Sequence, residues 1–215
     1  MEASVQPVSS LERDWLLRAL LVLQRPRPVF AALRDDSEAA AQARQEPALA
    51  LVWLAGIAGV LGTPVAETLL DDPARDGLVV AVWAFIGGGL YGAFGYLLVG
   101  GLLYGAARAL GGQGSYRRAR HVVAFALAPL ALALLVVWPV GIAAFGGDLF
   151  RSGGADNGAG RDAFDVAQGA FAVWSLALLA IGARAVHGWT WARALATVAV
   201  AIAPVVLVVL AYELV

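Results

Sequence analysis

The best candidate for chemistry in this sequence is the carboxylate of Glu67, which lies within an apolar stretch. A carboxylate inside a membrane-spanning segment is costly to bury and is typical of sites that handle ions, protons or a substrate. A simpler interpretation is also open, because Asp71 follows about one helical turn later and both acids would then reach the outer headgroups. Glu67 is therefore the candidate intramembrane functional residue.

The residue types that catalysis requires are otherwise scarce. The sequence has two histidines and no cysteine, and neither H-E-x-x-H nor G-x-S-x-G occurs. His121 and His187 both fall at expected ends of spans, where we interpret them as interfacial anchors. The polar loop at 156–162 does not fit the twelve-residue calcium pattern and is interpreted as a flexible linker. We predict a protein that is not an enzyme and has no metal or cofactor.

Arginine supplies all 15 basic residues, and the net charge is −1. The glycines and arginines of residues 111–120 could form a phosphate-binding nest or a docking loop for a partner. A helix stop followed by positive charge explains the same residues. No arginine-rich, aromatic-interleaved stripe occurs, so nucleic acid is not expected as a partner. The candidate lipid or partner contacts are Arg117, Arg118, Arg120, Arg184 and Arg193.

The composition indicates which elements hold these side chains. Of the 215 residues, 60% are hydrophobic and 14% charged, a balance too apolar for an ordinary soluble domain. The uncharged stretch 77–107, as a helix, would cover about 46 Å, against about 30 Å for the hydrocarbon core of a bilayer. We predict an all-α polytopic membrane protein built as a five-transmembrane-helix bundle. The predicted spans are residues 48–70, 77–107, 122–145, 164–183 and 194–212.

Glycines and prolines on these spans indicate how the helices pack. Glycines four residues apart form a flat face that lets two helix backbones approach closely. The predicted helix-packing residues of the second span are Gly88, Gly92, Gly95, Gly101 and Gly105. Proline removes a backbone donor and bends a helix. The predicted kinks are at Pro64, Pro129, Pro139 and Pro204.

Residues 1–46 are predicted to form a cytoplasmic region with one or two amphipathic helices, ahead of a membrane domain at 47–215. Apolar residues from Trp15 to Leu23 recur at helical spacing opposite Arg13 and Arg18. This helix either lies among lipid headgroups or packs on the protein, and both interpretations stay open. A second helix is predicted from Val29 to about Gln45, with its acidic run at 35–38 interpreted as a solvated face.

The placement of arginine predicts the orientation of the chain in the membrane. Twelve arginines fall on the side of the N-terminus and only three on the other side. Cytoplasmic loops carry the excess of positive charge. We therefore predict a multi-pass protein of the cell (inner or plasma) membrane with a cytoplasmic N-terminus and an external C-terminus.

Several segments taken together resemble the Yip family of multi-span membrane proteins, especially its compact prokaryotic members. The segments are 25–30 (Arg-Pro-Arg-Pro-Val-Phe), Gly95-Tyr96, 111–116 (Gly-Gly-Gln-Gly-Ser-Tyr), 124–129 (Ala-Phe-Ala-Leu-Ala-Pro) and 174–195. The resemblance implies five spans, a cytoplasmic N-terminus and a role in membrane organisation or partner recruitment. Eukaryotic members bind Rab/Ypt GTPases, but their Asp-Leu-Tyr-Gly-Pro motif does not occur here, so GTPase binding is not carried over.

The function predicted from these features is that of a non-enzymatic membrane organiser or partner-binding scaffold. The expected partners are membrane lipids and other membrane or cytoplasmic proteins, and self-association is left open. The alternative is a small transporter, channel or lipid-handling protein that uses the carboxylate of Glu67.

Overall fold

The computed structural model describes residues 10–63, 77–150 and 158–213, and all regular structure in these residues is helical, with no strand. The prediction of an all-α protein is confirmed. The helices are α1 Ser10–Leu21, α2 Pro26–Ala32, α3 Glu38–Ala43, α4 Gln45–Leu61, α5 Gly77–Ala109, α6 Tyr116–Ala126, α7 Ala128–Phe145, α8 Ala159–His187 and α9 Trp191–Glu213, and a short 3-10 turn, Gly146–Phe150, follows α7.

Four segments in the described part of the chain are long and apolar enough to cross a membrane. They are Leu78–Ala109, Tyr116–Phe145, Ala159–His187 and Trp191–Val208. The predicted span at 48–70 begins as α4, which is described as helix only to Leu61. Pro64 and Glu67 lie outside the described residues. The count of five spans therefore stays a prediction.

The fourth predicted span is longer than its hydropathy indicated. Helix α8 begins at Ala159 rather than near residue 164. Asp162, Asp165 and Gln168 shorten the apolar core but do not prevent a helix, and Asp162 lies in the first turn, where the positive end of the helix dipole favours an acidic residue.

Proline has different effects at the three described positions. Pro129 lies in the first turn of α7, directly after the break at Leu127 that separates α6 from α7. Its ring is incompatible with the carbonyl of Phe125 in a continuous helix. Pro139 and Pro204 lie inside α7 and α9, which continue past them.

Helices α4 and α5 cross at glycines, which have no side chain to separate the two backbones. A Cβ on Gly56 would overlap the carbonyl oxygen of Gly88, and a Cβ on Gly92 would overlap the carbonyl oxygen of Val52. Backbone therefore packs directly on backbone, which is the role of small residues in membrane helices.

The rest of the predicted glycine face does not pack in this way. A Cβ on Gly95 or Gly105 would meet no atom within 4 Å, and a Cβ on Gly101 would make ordinary contact, at 3.8 Å, with the ring of Tyr116. Gly101 and Gly105 lie on the part of α5 that extends beyond its crossing with α4. Its last turns bury Leu103, Ala106 and Ala107 instead.

One side of helix α1 packs on the rest of the protein, and the other side is exposed. Trp15 and Val22 are fully buried, and the indole ring of Trp15 lies 5.5 Å from the ring of Phe125. The side chains on its outer side are exposed. These are Leu16, Leu17, Leu20 and Leu21. The packing interpretation therefore describes one side of α1, and the other presents leucine outward.

The prediction of a single second helix at residues 29–45 is wrong. The structure divides this stretch into α2, α3 and the start of α4. Ser37 caps α3 by accepting a hydrogen bond from the backbone N–H of Ala40 at 3.3 Å. Asp and Ser side chains compete with helical backbone bonds and favour caps and turns, which explains the break.

Candidate functional site

The first turns of α4, α6 and α9 and the last turns of α5 and α8 meet at one end of the bundle, here called the basic end. Contacts across it include Arg44 with His121, and Arg193 with the carbonyl of Leu110. The short helices α1 to α3 pack against the same end. Most of the polar side chains that the structure brings together lie here.

Arg44 is the central cation of the basic end, and its side chain is 0% exposed. Its guanidinium donates to the backbone oxygen of Asp35 at 2.6 Å, to Oδ1 of Asp36 at 3.1 Å and to Nδ1 of His121 at 3.0 Å. Burial lowers the pKa of Arg44, and the charge of Asp36 opposes that shift. A buried charge is tolerated only when it is paired and hydrogen-bonded, as this one is.

Asp36 connects Arg44 to the start of α6. It lies 3.3 Å from Nε of Arg117 and 3.8 Å from Nη2 of Arg118, and the hydroxyl of Ser115 donates to its Oδ2. Burial raises the pKa of Asp36, but the bond from Ser115 and the charges of Arg118 and Arg117 outweigh burial, so this pKa lies below its usual value. We call these residues, with Glu38 and His121, the Asp36 network.

The interpretation of residues 35–38 as a solvated face is wrong for Asp36, whose side chain is only 17% exposed. Glu38 is 71% exposed, yet it accepts a 2.7 Å bond from Nη1 of Arg117. Two of the three arginines that contact Asp36, Arg117 and Arg118, come from about 80 residues later in the chain, so the sequence could not reveal those pairs.

His121 is buried rather than anchored at a surface, which corrects the prediction for this residue. Its Nδ1 accepts from Arg44, so the ring is neutral and carries its hydrogen on Nε2. Nε2 lies 3.4 Å from Oε1 of Gln45. A ring held in this way orients Arg44 and has no free nitrogen for a ligand.

Arg120 lies between two tyrosine rings instead of facing outward. Its guanidinium carbon is 5.3 Å from the ring centre of Tyr96 and 4.8 Å from that of Tyr116. A Cβ on Gly100 would meet Cγ of Arg120 at 2.5 Å, so this glycine makes room for the arginine. Gly100 was not predicted as a packing residue, because no other glycine lies four residues before or after it.

The loop after α5 ends that helix and is held by Arg193. Gly111 has a φ of +76°, and the N–H of Gly112 bonds back to the carbonyl of Ala107 at 2.7 Å. This is the glycine ending typical of α-helices. Nε of Arg193 donates to Leu110 at 2.8 Å and its guanidinium stacks on Trp189. The geometry supports the helix-stop interpretation of this loop.

Helix α2 is fixed to the end of α8 by one aromatic residue and one arginine. Phe30 is fully buried, and a Cβ on Gly182 would meet its ring at 3.0 Å. Nε of Arg34 donates to the carbonyl of Ala185 at 2.9 Å. Arg184 lies beside this contact, stacked on Trp191 at 4.7 Å. Phe30 belongs to the Arg-Pro-Arg-Pro-Val-Phe segment, which was the available signal for this contact.

A central cavity of about 380 Å³ lies among helices α4 to α9. Its walls are apolar, with Gly95 on α5 and Leu130 on α7 among them. Ser175 also lines it, and the buried hydroxyl of this serine has no hydrogen-bond partner. Gly95 has no packing neighbour because it borders this space. Nothing in the hydropathy pattern indicated the cavity.

Among the described residues there is no group of three or more His, Cys, Asp or Glu side chains that could hold a metal ion. The four apolar helices define a helical transmembrane protein. The family model of the Yip1 domain matches residues 20–212, which is nearly the whole chain. The chain therefore belongs to this family. No match was found among the curated proteins or among the solved structures.

Proposed function

We propose that this Yip1-family protein performs no enzymatic reaction and acts as a membrane-embedded scaffold that organises the membrane or binds partner proteins. The observation that carries the proposal is the Asp36 network. Its buried cation and its histidine are engaged in internal bonds. They therefore fix the segment between α2 and α3 against α6 as one polar surface, and neither Arg44 nor His121 is free for catalysis.

The proposed topology has five spans, with α4 and the residues that follow it as the first. Residues 1–46 and the basic end face the cytoplasm, in a cell membrane, and the C-terminus lies outside. The positive-inside rule supports this orientation. Tags at the two termini test it, because we expect only the C-terminal tag to react with an impermeant reagent on intact cells. Reaction of both tags would contradict the topology.

The scaffold role is tested by purification of the tagged full chain from its native membrane in mild detergent. We expect a specific protein partner to be retained, and Asp36→Asn to reduce that retention by disordering the basic end. Asp165→Asn is the matched control, because within the described residues Asp165 pairs with Arg161 on the same exposed turn of α8 and lies outside the Asp36 network. A partner lost equally in both variants, or no partner at all, would refute the scaffold role.

The central cavity favours a second candidate function, the handling of lipid or of another apolar molecule. A space of about 380 Å³ with apolar walls fits hydrocarbon. Under this alternative Glu67 supplies the intramembrane carboxylate.

A flux or lipid-transfer assay in liposomes tests this alternative. Gly95→Leu would fill the cavity, whereas Gly105→Leu places the same side chain in open space outside it. We expect Gly95→Leu and Glu67→Gln to abolish movement and Gly105→Leu to preserve it. Movement that Gly95→Leu leaves unchanged would exclude the cavity as the path.

A further inference from the structure

A second cluster of arginines lies at the basic end, apart from the Asp36 network. It lines a cleft of about 290 Å³ between α2 and the last turns of α8. Arg27 and Arg34 come from the α2 side, and Arg184 and Trp189 from the end of α8. None of the described residues that line the cleft is acidic. We call it the arginine cleft.

The three guanidinium groups of the cleft make no ion pair within the described part of the chain. Nε and Nη2 of Arg34 are used by the carbonyl of Ala185. Nε of Arg184 is buried and has no hydrogen-bond partner. Arg27 is exposed. A buried N–H without an acceptor is unfavourable, so an oxygen-rich anion in the cleft would satisfy a donor that the protein leaves unsatisfied.

The cleft also lies at the end of a candidate membrane span. Arg184 is in the last turn of the candidate span Ala159–His187, and Trp189 and Trp191 follow directly. Tryptophan at the end of a span is typical of the interface between lipid and water. Ala31 and Ile181 supply an apolar wall beside the charges. A group that is anionic at one end and apolar at the other matches these surroundings.

We infer that the arginine cleft binds a phosphate group, in the form carried by the headgroup of an anionic phospholipid. Arginine is suited to this ligand because its planar donors match two phosphate oxygens at once. Of the five arginines predicted to contact lipid or partners, only Arg184 lines the cleft. Arg27 and Arg34 join it through the docking of α2. The inference goes beyond the scaffold role and does not depend on it.

Native mass spectrometry of the full chain in a phosphate-free detergent tests the inference. Phosphatidylglycerol, phosphatidylcholine and inorganic phosphate are added in separate titrations. We expect phosphatidylglycerol to remain bound at lower concentration than phosphatidylcholine. Arg184→Gln and Arg27→Gln should each weaken its binding by about tenfold, since each removes one charged donor to phosphate.

Arg25→Gln is the matched control, because Arg25 is exposed, lies two residues from Arg27 and does not line the cleft. Equal loss in Arg25→Gln would show general attraction of charge and overturn the inference. Binding of inorganic phosphate with no preference among lipids would overturn the lipid source. Arg27 is exposed and forms no ion pair, so Arg27→Gln folds even if Arg184→Gln does not. The lipid titrations do not depend on whether a protein partner is recovered in the purification. The scaffold role and the phosphate site can therefore fail independently.

Discussion

The Asp36 network and the arginine cleft lie at the same end of the bundle, and both are built from arginine side chains. They differ in the groups that surround those arginines. In the network, Arg44 and Arg117 meet carboxylates at 3.1 Å and 3.3 Å. In the cleft, Arg27, Arg34 and Arg184 face no carboxylate among the described residues, and the indole of Trp189 completes the polar side of the lining. Arginine that is paired within the protein supports the fold, whereas arginine left without an anion is available to a ligand. The following predictions test that difference, from the largest expected effect to the smallest.

Arg44→Leu should cause the greatest loss of stability. It leaves Asp36 and His121 without their buried partner, and removing one side of a buried ion pair costs about 3 to 5 kcal/mol. Thermal unfolding in detergent measures the effect. An unchanged midpoint would show that the network does not support the fold.

Asp36→Asn should cost about 2 to 3 kcal/mol, because it weakens bonds to two charged groups and Ser115. It should also change the pH dependence of unfolding. The pKa of Asp36 is held below its usual value of 3.8. Its stabilisation is therefore complete above that value and is lost as the pH falls through the lowered pKa. Below about pH 4 the melting temperature of the parent should fall more steeply than that of the variant. Parallel curves would contradict this assignment.

Glu38→Gln should have a small effect, of about 0.2 to 1 kcal/mol, although the 2.7 Å bond from Arg117 to Glu38 is shorter than the 3.3 Å bond from Arg117 to Asp36. Glu38 is mostly exposed, and exposed pairs are screened by solvent. The same unfolding assay measures it, with Asp36→Asn as the reference. A loss as large as that of Asp36→Asn would show that exposure does not separate the two acids.

Arg184→Leu should change stability least, by less than about 0.5 kcal/mol, because its charge has no anionic partner among the residues that the structure describes. Its effect should appear in lipid binding instead. A loss of stability comparable to that of Arg44→Leu would show that the cleft, like the network, is a structural element.

Hydropathy, proline positions and the order of short motifs were enough to predict an all-α membrane protein of the Yip family. Each depends on residues close together in sequence, such as the uncharged stretch that became α5. The acidic run at 35–38 was misread for the opposite reason. Its first residues do form a turn, but the side chain of Asp36 is covered both by Arg44, directly before α4, and by Arg117, which lies 81 residues later in α6. The arginines of the cleft were equally hidden, because α2 and α8 are about 150 residues apart.

The sequence by itself determined that the chain enters a membrane, because burying apolar side chains in lipid is favourable for each segment separately. It also determined where α5 and α8 end, since Gly111 and Gly188 adopt the positive φ that stops a helix locally. The tertiary structure decided which arginines are paired and which are left open. An ion pair such as Arg44 with Asp36 spans only 3.1 Å, and which charges come that close depends on how distant helices pack.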